Sequence, residues 1–210
     1  MPRQVDHTQR RRQIAHAVWT VMATRGLDAV SLREVAAEAG VSMGRVQHYF
    51  PSKDAMILHA CEAMAEAAYE RAVGTAAPDG DGRDVQVASA GATPRQMIRT
   101  VLLTGIPHDD AHRAGASVWF AFLTKAAVWP ELADVVRRQL DDGQAFLTSI
   151  LRAEHAAGSL RRDVDPASEA VALLALADGL VLRVMVGSLT PQAATDAVDH
   201  RIDELFAGMR

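Results

Sequence analysis

The chain has 210 residues, 49% of them hydrophobic and 23% charged, which is enough apolar surface for one or two packed domains. The single cysteine, Cys61, excludes a disulfide framework within one chain, no apolar run has membrane-spanning length, and the basic opening MPRQVDHTQRRRQ lacks the apolar stretch of a secretory leader, so the cytoplasm is the expected location. The net charge of −4 is unevenly spread: residues 1–60 carry +3 and the remainder −7, a basic head on an acidic body that suggests an anionic partner for the head alone.

Helical patterns dominate in chain order. From about Thr8 to Arg25, Ile14, Val18 and Met22 recur every four residues beside Ala15 and Trp19, and Gly26 ends the run. Ser31 with Glu34 three places on has the form of a capping box, so a short second helix starts at Leu32 with Leu32, Val35, Ala36 and Ala39 on its apolar face. Gly40 closes it. Ser42 caps a third helix that runs to about Tyr49. Ser52 caps an alanine-rich fourth helix that reaches about Gly74 and contains Cys61, read as a packed small residue. Residues 75–92, rich in Gly, Ala and Asp, are expected to form a mobile loop. Thr93-Pro94 with Gln96 restarts helix. Further helices are expected from Asp109 or Asp110, from Pro130 to about Ala157 with Gly158 as the stop, after Asp165-Pro166, and after Thr190-Pro191. No segment alternates at period two. The expected fold class is all-α with about nine helices.

The second helix, the Gly40-Val41-Ser42 turn and the third helix form a helix-turn-helix. Val41 and Val46 are suited to seal its corner. Gly44 removes a side chain where the third helix must approach another backbone. Arg45 and Gln47 have the donor geometry for guanine and adenine edges, whereas His48, Tyr49 and Lys53 suit phosphates. Ser31, Arg33, Ser42 and Met43 complete the candidate DNA-binding set. Two plainer readings stand beside this one: Gln47 and His48 as solvated residues, and Tyr49 as a packing residue against the first helix. Arg10, Arg11 and Arg12 read as a flexible basic arm, free to follow a groove or simply solvated.

The stretch AHAVWTVMATRGLDAVSLREVAAEAGVSMGRVQHYFPSKDAM, within residues 9–60, resembles the DNA-binding domain of TetR-family transcriptional regulators in unbroken register. That family often has a small residue where Arg45 stands and a tyrosine where Gln47 stands, so the operator sequence does not carry over from a relative. The stretches VWFAFLTKAAVWPEL, HAAGSLRRDVDPASEA and LLALADGLVLRVM, within 113–206, resemble more loosely the C-terminal domain of the BetI-type subgroup. The resemblance implies a helix-turn-helix DNA-binding domain over 1–52 and an effector-binding and dimerisation domain over 53–210. It also implies a homodimer on double-stranded DNA carrying an inverted repeat, released by a small-molecule effector, with no cofactor, catalysis or membrane contact.

The body offers three sets of candidates. EAVALLALADGLVLRVMVG is apolar almost all round and needs cover on every side. Leu173, Leu176, Leu180 and Val184, with Val198, Ile202 and Leu205 from the last helix, are the expected dimer surface. Four aromatics cluster at Trp119, Phe120, Phe122 and Trp129, which with Met97, Phe146 and Ile150 suit either an effector pocket or the core. Asp178 and Arg183 interrupt an apolar helix at a spacing that cannot pair them with each other, so each requires a partner on another helix, on a second subunit or on a ligand. Two rivals stand beside this reading: a DNA-binding protein that acts by occupancy alone, without an effector, and a helical metal-dependent phosphohydrolase built on His108 and Asp109 of HDDAH, which needs further ligands such as His155 and Asp178. Asp109 and Asp110 are explained more simply as helix N-terminal charges. No Gly-rich phosphate loop, nucleophile elbow or Cys/His zinc pattern is present.

Overall fold

The computed structural model describes residues 7–73 and 92–206, the side chains of 68–73 aside. The expected loop over 75–92 falls, but for Ala92, outside them. Nine α-helices are described: α1 His7–Arg25, α2 Leu32–Glu38, α3 Met43–Tyr49, α4 Lys53–Val73, α5 Pro94–Leu103, α6 Asp110–Ala126, α7 Pro130–Ala156, α8 Pro166–Met185 and α9 Pro191–Phe206. A short 3-10 turn at Leu27–Ala29, not expected from the sequence, links α1 to α2. Among the described residues there is no strand, and no helix is long and apolar enough to cross a membrane.

The helix ends follow the capping residues. Ser31 accepts from Glu34 N at 3.1 Å, Ser42 from Arg45 N at 3.3 Å and Ser52 from Ala55 N at 3.1 Å. α5 has a complete capping box, in which Gln96 accepts from Thr93 N at 2.8 Å. The box expected at α2 is half formed, because the Glu34 carboxylate turns away to pair with Arg25. Gly26, Gly40 and Gly158 stop α1, α2 and α7 with φ of 81°, 63° and 75°, in the left-handed region that other residues enter at a cost.

The chain packs as two units. One comprises Met1–Glu66 with Ser117–Gln139, the other Ala67–Ala116 with Leu140–Arg210. In the first, Ile14, Val18, Val35, Val46, Phe50, Met56 and Cys61 form a core with no more than 1% exposure each, and Val118, Phe122 and Leu132 join it. The indole of Trp19 donates to Ala60 O at 2.9 Å, so this packed ring leaves no donor unsatisfied. Burial pushes the Cys61 thiol up to about 12, consistent with an inert packed residue. A functional boundary at Ser52 and this packing division differ, because α4 buries Met56, Ile57, Ala60 and Ala63 in the same core as α1.

In the second unit, α5 is tied to α9 by a bidentate Arg99–Asp199 pair at 2.6 and 3.0 Å and by Arg95–Asp203. α9 meets α8 through Arg201, whose guanidinium reaches Glu169 at 2.6 Å. The face of α8 chosen from the sequence for a second subunit turns inward instead. Leu173, Leu180 and Val184, with Val198, Ile202 and Leu205 of α9, are buried within the chain, and Leu176 is half-buried. Residues that lose their surface in the subunit have little left to give a partner. The exposed apolar side of α8 is a stripe of Val171 (50% exposed) and Leu182 (50%), with Ala175 and Gly179 between them, that runs on to Val186 (69%) just past the helix end.

Candidate nucleic-acid interface

The helix-turn-helix is set by backbone bonds that close the corner: Gly40 N donates to Ala37 O at 3.2 Å and Val41 N to Ala36 O at 3.0 Å. α1 braces it, since Gln13 Nε2 donates to Ala39 O at 2.9 Å. On α3, Val46 is fully buried and Phe50 follows one turn later at 1% exposure. With about 100° per residue, the line facing away from Val46 runs through Gly44 and His48, flanked by Arg45 on one side and Gln47 on the other. All four are exposed, as are Ser42, Arg33 and Lys53, and Met43 is 49% exposed; Ser31 and Tyr49 are half-buried. A Cβ built on Gly44 meets nothing within 4 Å, so nothing among the described residues requires glycine there.

Arg10, Arg11 and Arg12 are a correction to the sequence reading. They lie in α1, not in a flexible arm. Arg10 pairs with Gln13. The Arg11 guanidinium stacks 4.7 Å from the Phe50 ring centre, and its Nη1 donates to Tyr49 O at 3.5 Å, so one cation is fixed at the C-terminal end of α3. Tyr49 touches His7 edge-on at 5.5 Å between ring centres, and His48 at 5.3 Å. Its ring therefore does the packing that the plainer reading assigned to it. His7 was missed in the sequence because only the fold carries α1 to this ring pair.

The body candidates separate. Trp119, Phe122 and Trp129 belong to the core of the first unit, and Phe120 is half-buried in that unit. Met97 and Phe146 are half-buried in the second unit, where Ile150 is buried. A cavity of about 410 Å³ in the second unit is lined by charged residues, among them Arg161, Asp163, Glu169 and Arg201, and by none of the effector candidates. Asp178 and Arg183 are both exposed, and among the described residues neither forms an ion pair with another helix. Asp178 is open to solvent as a residue, yet nearby protein still desolvates its carboxyl and raises its pKa. His108, Asp109 and His112 converge, with all three donor atoms within 4.8 Å of one another, and neither His155 nor Asp178 joins them. Asp109 caps α6, and the His112 backbone N–H, helped by the His112 ring, holds its carboxyl down at about 2.

Two short capped helices in a tight turn, the second offering a cation, an amide and an imidazole around a bare glycine, define a helix-turn-helix DNA-binding protein. Residues 14–60 match the family described as "Bacterial regulatory proteins, tetR family", and residues 94–207 match "BetI-type transcriptional repressor, C-terminal". The chain is 31% identical over 186 residues to the HTH-type transcriptional regulator PksA of Bacillus subtilis, covering 89% of this chain and 83% of that protein. It is 28% identical to BetI of Rhizobium meliloti over 87% of this chain and 81% of that one. A solved transcriptional regulator from Rhodococcus sp. Rha1 superposes with a TM-score of 0.75 at 28% identity, over 94% of this chain and 96% of that chain. The chain belongs to the TetR family and is a DNA-binding transcriptional regulator.

Proposed function

We propose that the protein is a homodimeric repressor that holds an inverted-repeat operator and leaves it when a small molecule binds. The observation that carries the DNA half is the exposed Gly44/His48 line of α3 with Arg45 and Gln47 on its flanks. Gly44 lets the helix sit deep in a major groove. Arg45 and Gln47 read bases, while His48, Tyr49, Lys53 and Arg33 position phosphates with the caps Ser31 and Ser42 and with Met43. Operator reading belongs to residues 1–52, and dimerisation and effector binding to 53–210. The protein works in the cytoplasm, where its DNA lies.

The dimer reading rests on the exposed stripe Val171, Ala175, Gly179 and Leu182 of α8, continued by Val186 just past its end. Self-complementary pairing of this stripe about a two-fold axis covers apolar surface and offers two α3 helices to half-sites about 34–36 Å apart. The effector half follows from linkage: a ligand that favours the DNA-incompetent arrangement lowers operator affinity by its own preference between the two arrangements.

Selection from a randomised duplex library at stated salt tests the whole reading, since phosphate contacts make affinity salt-dependent. An enriched inverted repeat bound by two chains is the expected result. Enrichment of a single half-site by one chain overturns the dimeric reading, and no enrichment overturns the base-reading roles of Arg45 and Gln47.

A further inference from the structure

The His108–Asp109–His112 cluster goes beyond DNA binding. Asp109 as the cap of α6 accounts for one of its contacts, the His112 N–H donated to Oδ1 at 2.8 Å. Capping does not account for the two imidazoles. His112 Nδ1 also lies 2.8 Å from Asp109 Oδ1, His108 Nε2 lies 3.8 Å from Oδ2, and the two rings overlap with centres 3.8 Å apart at 37°. Among the described residues no other three His, Cys, Asp or Glu side chains converge in this way.

From this geometry we infer that His108, Asp109 and His112 bind one divalent transition-metal ion of the zinc, cobalt or nickel class. Two nitrogens and one carboxylate oxygen suit such borderline ions, whereas calcium and magnesium require shells of oxygen. In a tetrahedral shell with bonds of about 2.0–2.1 Å, neighbouring donors lie about 3.3 Å apart. The separations to Asp109, 2.8 Å to Oδ1 and 3.8 Å to Oδ2, bracket that value and the three donor atoms lie within 4.8 Å of one another, so side-chain rotations that bring one carboxylate oxygen to both nitrogens complete the set.

The second sphere is of the right kind. His108 Nδ1 faces Ile106 O at 3.3 Å. When it donates there, the lone pair of His108 rests on Nε2, the nitrogen nearest Asp109. The backbone that carries the ligands is fixed on both sides. Ile106 and Pro107 are buried, and the Cα of Gly105 is so close to α8 that an added Cβ would lie 3.3 Å from Val181 Cγ2. One residue past His112, Arg113 Nη1 donates to Met185 O at 3.0 Å. The ligands are exposed to different degrees, His108 at 54% and His112 at 23% of their side chains, so the ion keeps open positions for water. A bound ion ties the 104–109 segment to the first turn of α6.

The test uses the full chain, freed of metal by a chelator and titrated with cobalt(II) alone while the visible absorption of the ion is followed. Saturation at one ion per chain is expected. His108→Ala and His112→Ala are each expected to weaken binding at least about tenfold. Asp109→Asn keeps a capping acceptor, so α6 is retained and only the charge and anionic ligand are lost; it is expected to weaken binding while the helical circular dichroism stays unchanged. His200→Ala, on α9, is expected to bind as the parent does. Non-saturating absorption in the parent overturns the inference, and so does a His108→Ala/His112→Ala double variant that binds within about twofold of it. None of these readouts involves DNA, so the operator reading stands or falls separately.

Discussion

Two helices of this molecule each leave one face uncovered, and the faces are opposite in kind. α3 is seven residues long and exposes Arg45, Gln47 and His48 around Gly44, with only Val46 buried. α8 is twenty residues long and exposes Val171 and Leu182 beside Ala175 and Gly179, with Val186 just past its end, while its other side is the core of its unit. A polar face is content in water and awaits an anion; an apolar face in water loses free energy until something apolar covers it. The orientation of α3 follows from two inward residues one turn apart. α8 had apolar residues to spare on every side, so only its neighbours determine which side is inside.

The sharpest test of that contrast lies within α8. Leu173→Ala is expected to destabilise the fold by about 2–5 kcal/mol, read as a lowered denaturation midpoint, because a buried leucine leaves a cavity. Leu182→Glu, nine residues on, is expected to keep the helical circular dichroism spectrum but to reduce the sedimenting mass to one chain. Equal loss of fold in the two variants would erase the distinction between the faces.

On α3 the expected effects are smaller and selective. Arg45→Ala is expected to cost about 1–3 kcal/mol on the selected operator and to relax preference at one base position. Lys53→Ala is expected to weaken all sequences alike and to lower the salt slope by about one. If Arg45→Ala instead weakened every duplex equally, its assignment to bases would fail. Ser42→Ala removes the cap of α3 and is expected to cost about 1 kcal/mol of stability by chemical denaturation.

The smallest expected effect concerns Asp178, which lies on the exposed stripe of α8. Its carboxyl pKa is raised in the folded chain by desolvation. The folded state therefore holds its proton more tightly than the unfolded state. Stability is greatest below the unfolded pKa of about 3.9 and falls as pH rises from there to the folded value, then levels off. Asp178→Asn is expected to raise the melting temperature slightly at neutral pH and to leave it unchanged near pH 3. A variant equally stabilising at both pH values would remove the electrostatic explanation.

By itself the sequence determined the capped helices and the exposed polar face of α3. Ser31, Ser42, Ser52 and Thr93 sit where backbone N–H groups need acceptors, and Gly26, Gly40 and Gly158 sit where φ turns positive. These are local demands, met within four residues, and so they are legible one stretch at a time. Tertiary structure alone decided what depends on distant neighbours. It drew Arg11 onto Phe50, set Trp119 and Trp129 against the first core, and turned Leu173 inward and Leu182 outward. The physical reason is range. Capping and backbone conformation are fixed by covalent neighbours, whereas which apolar side is buried depends on residues tens of positions away.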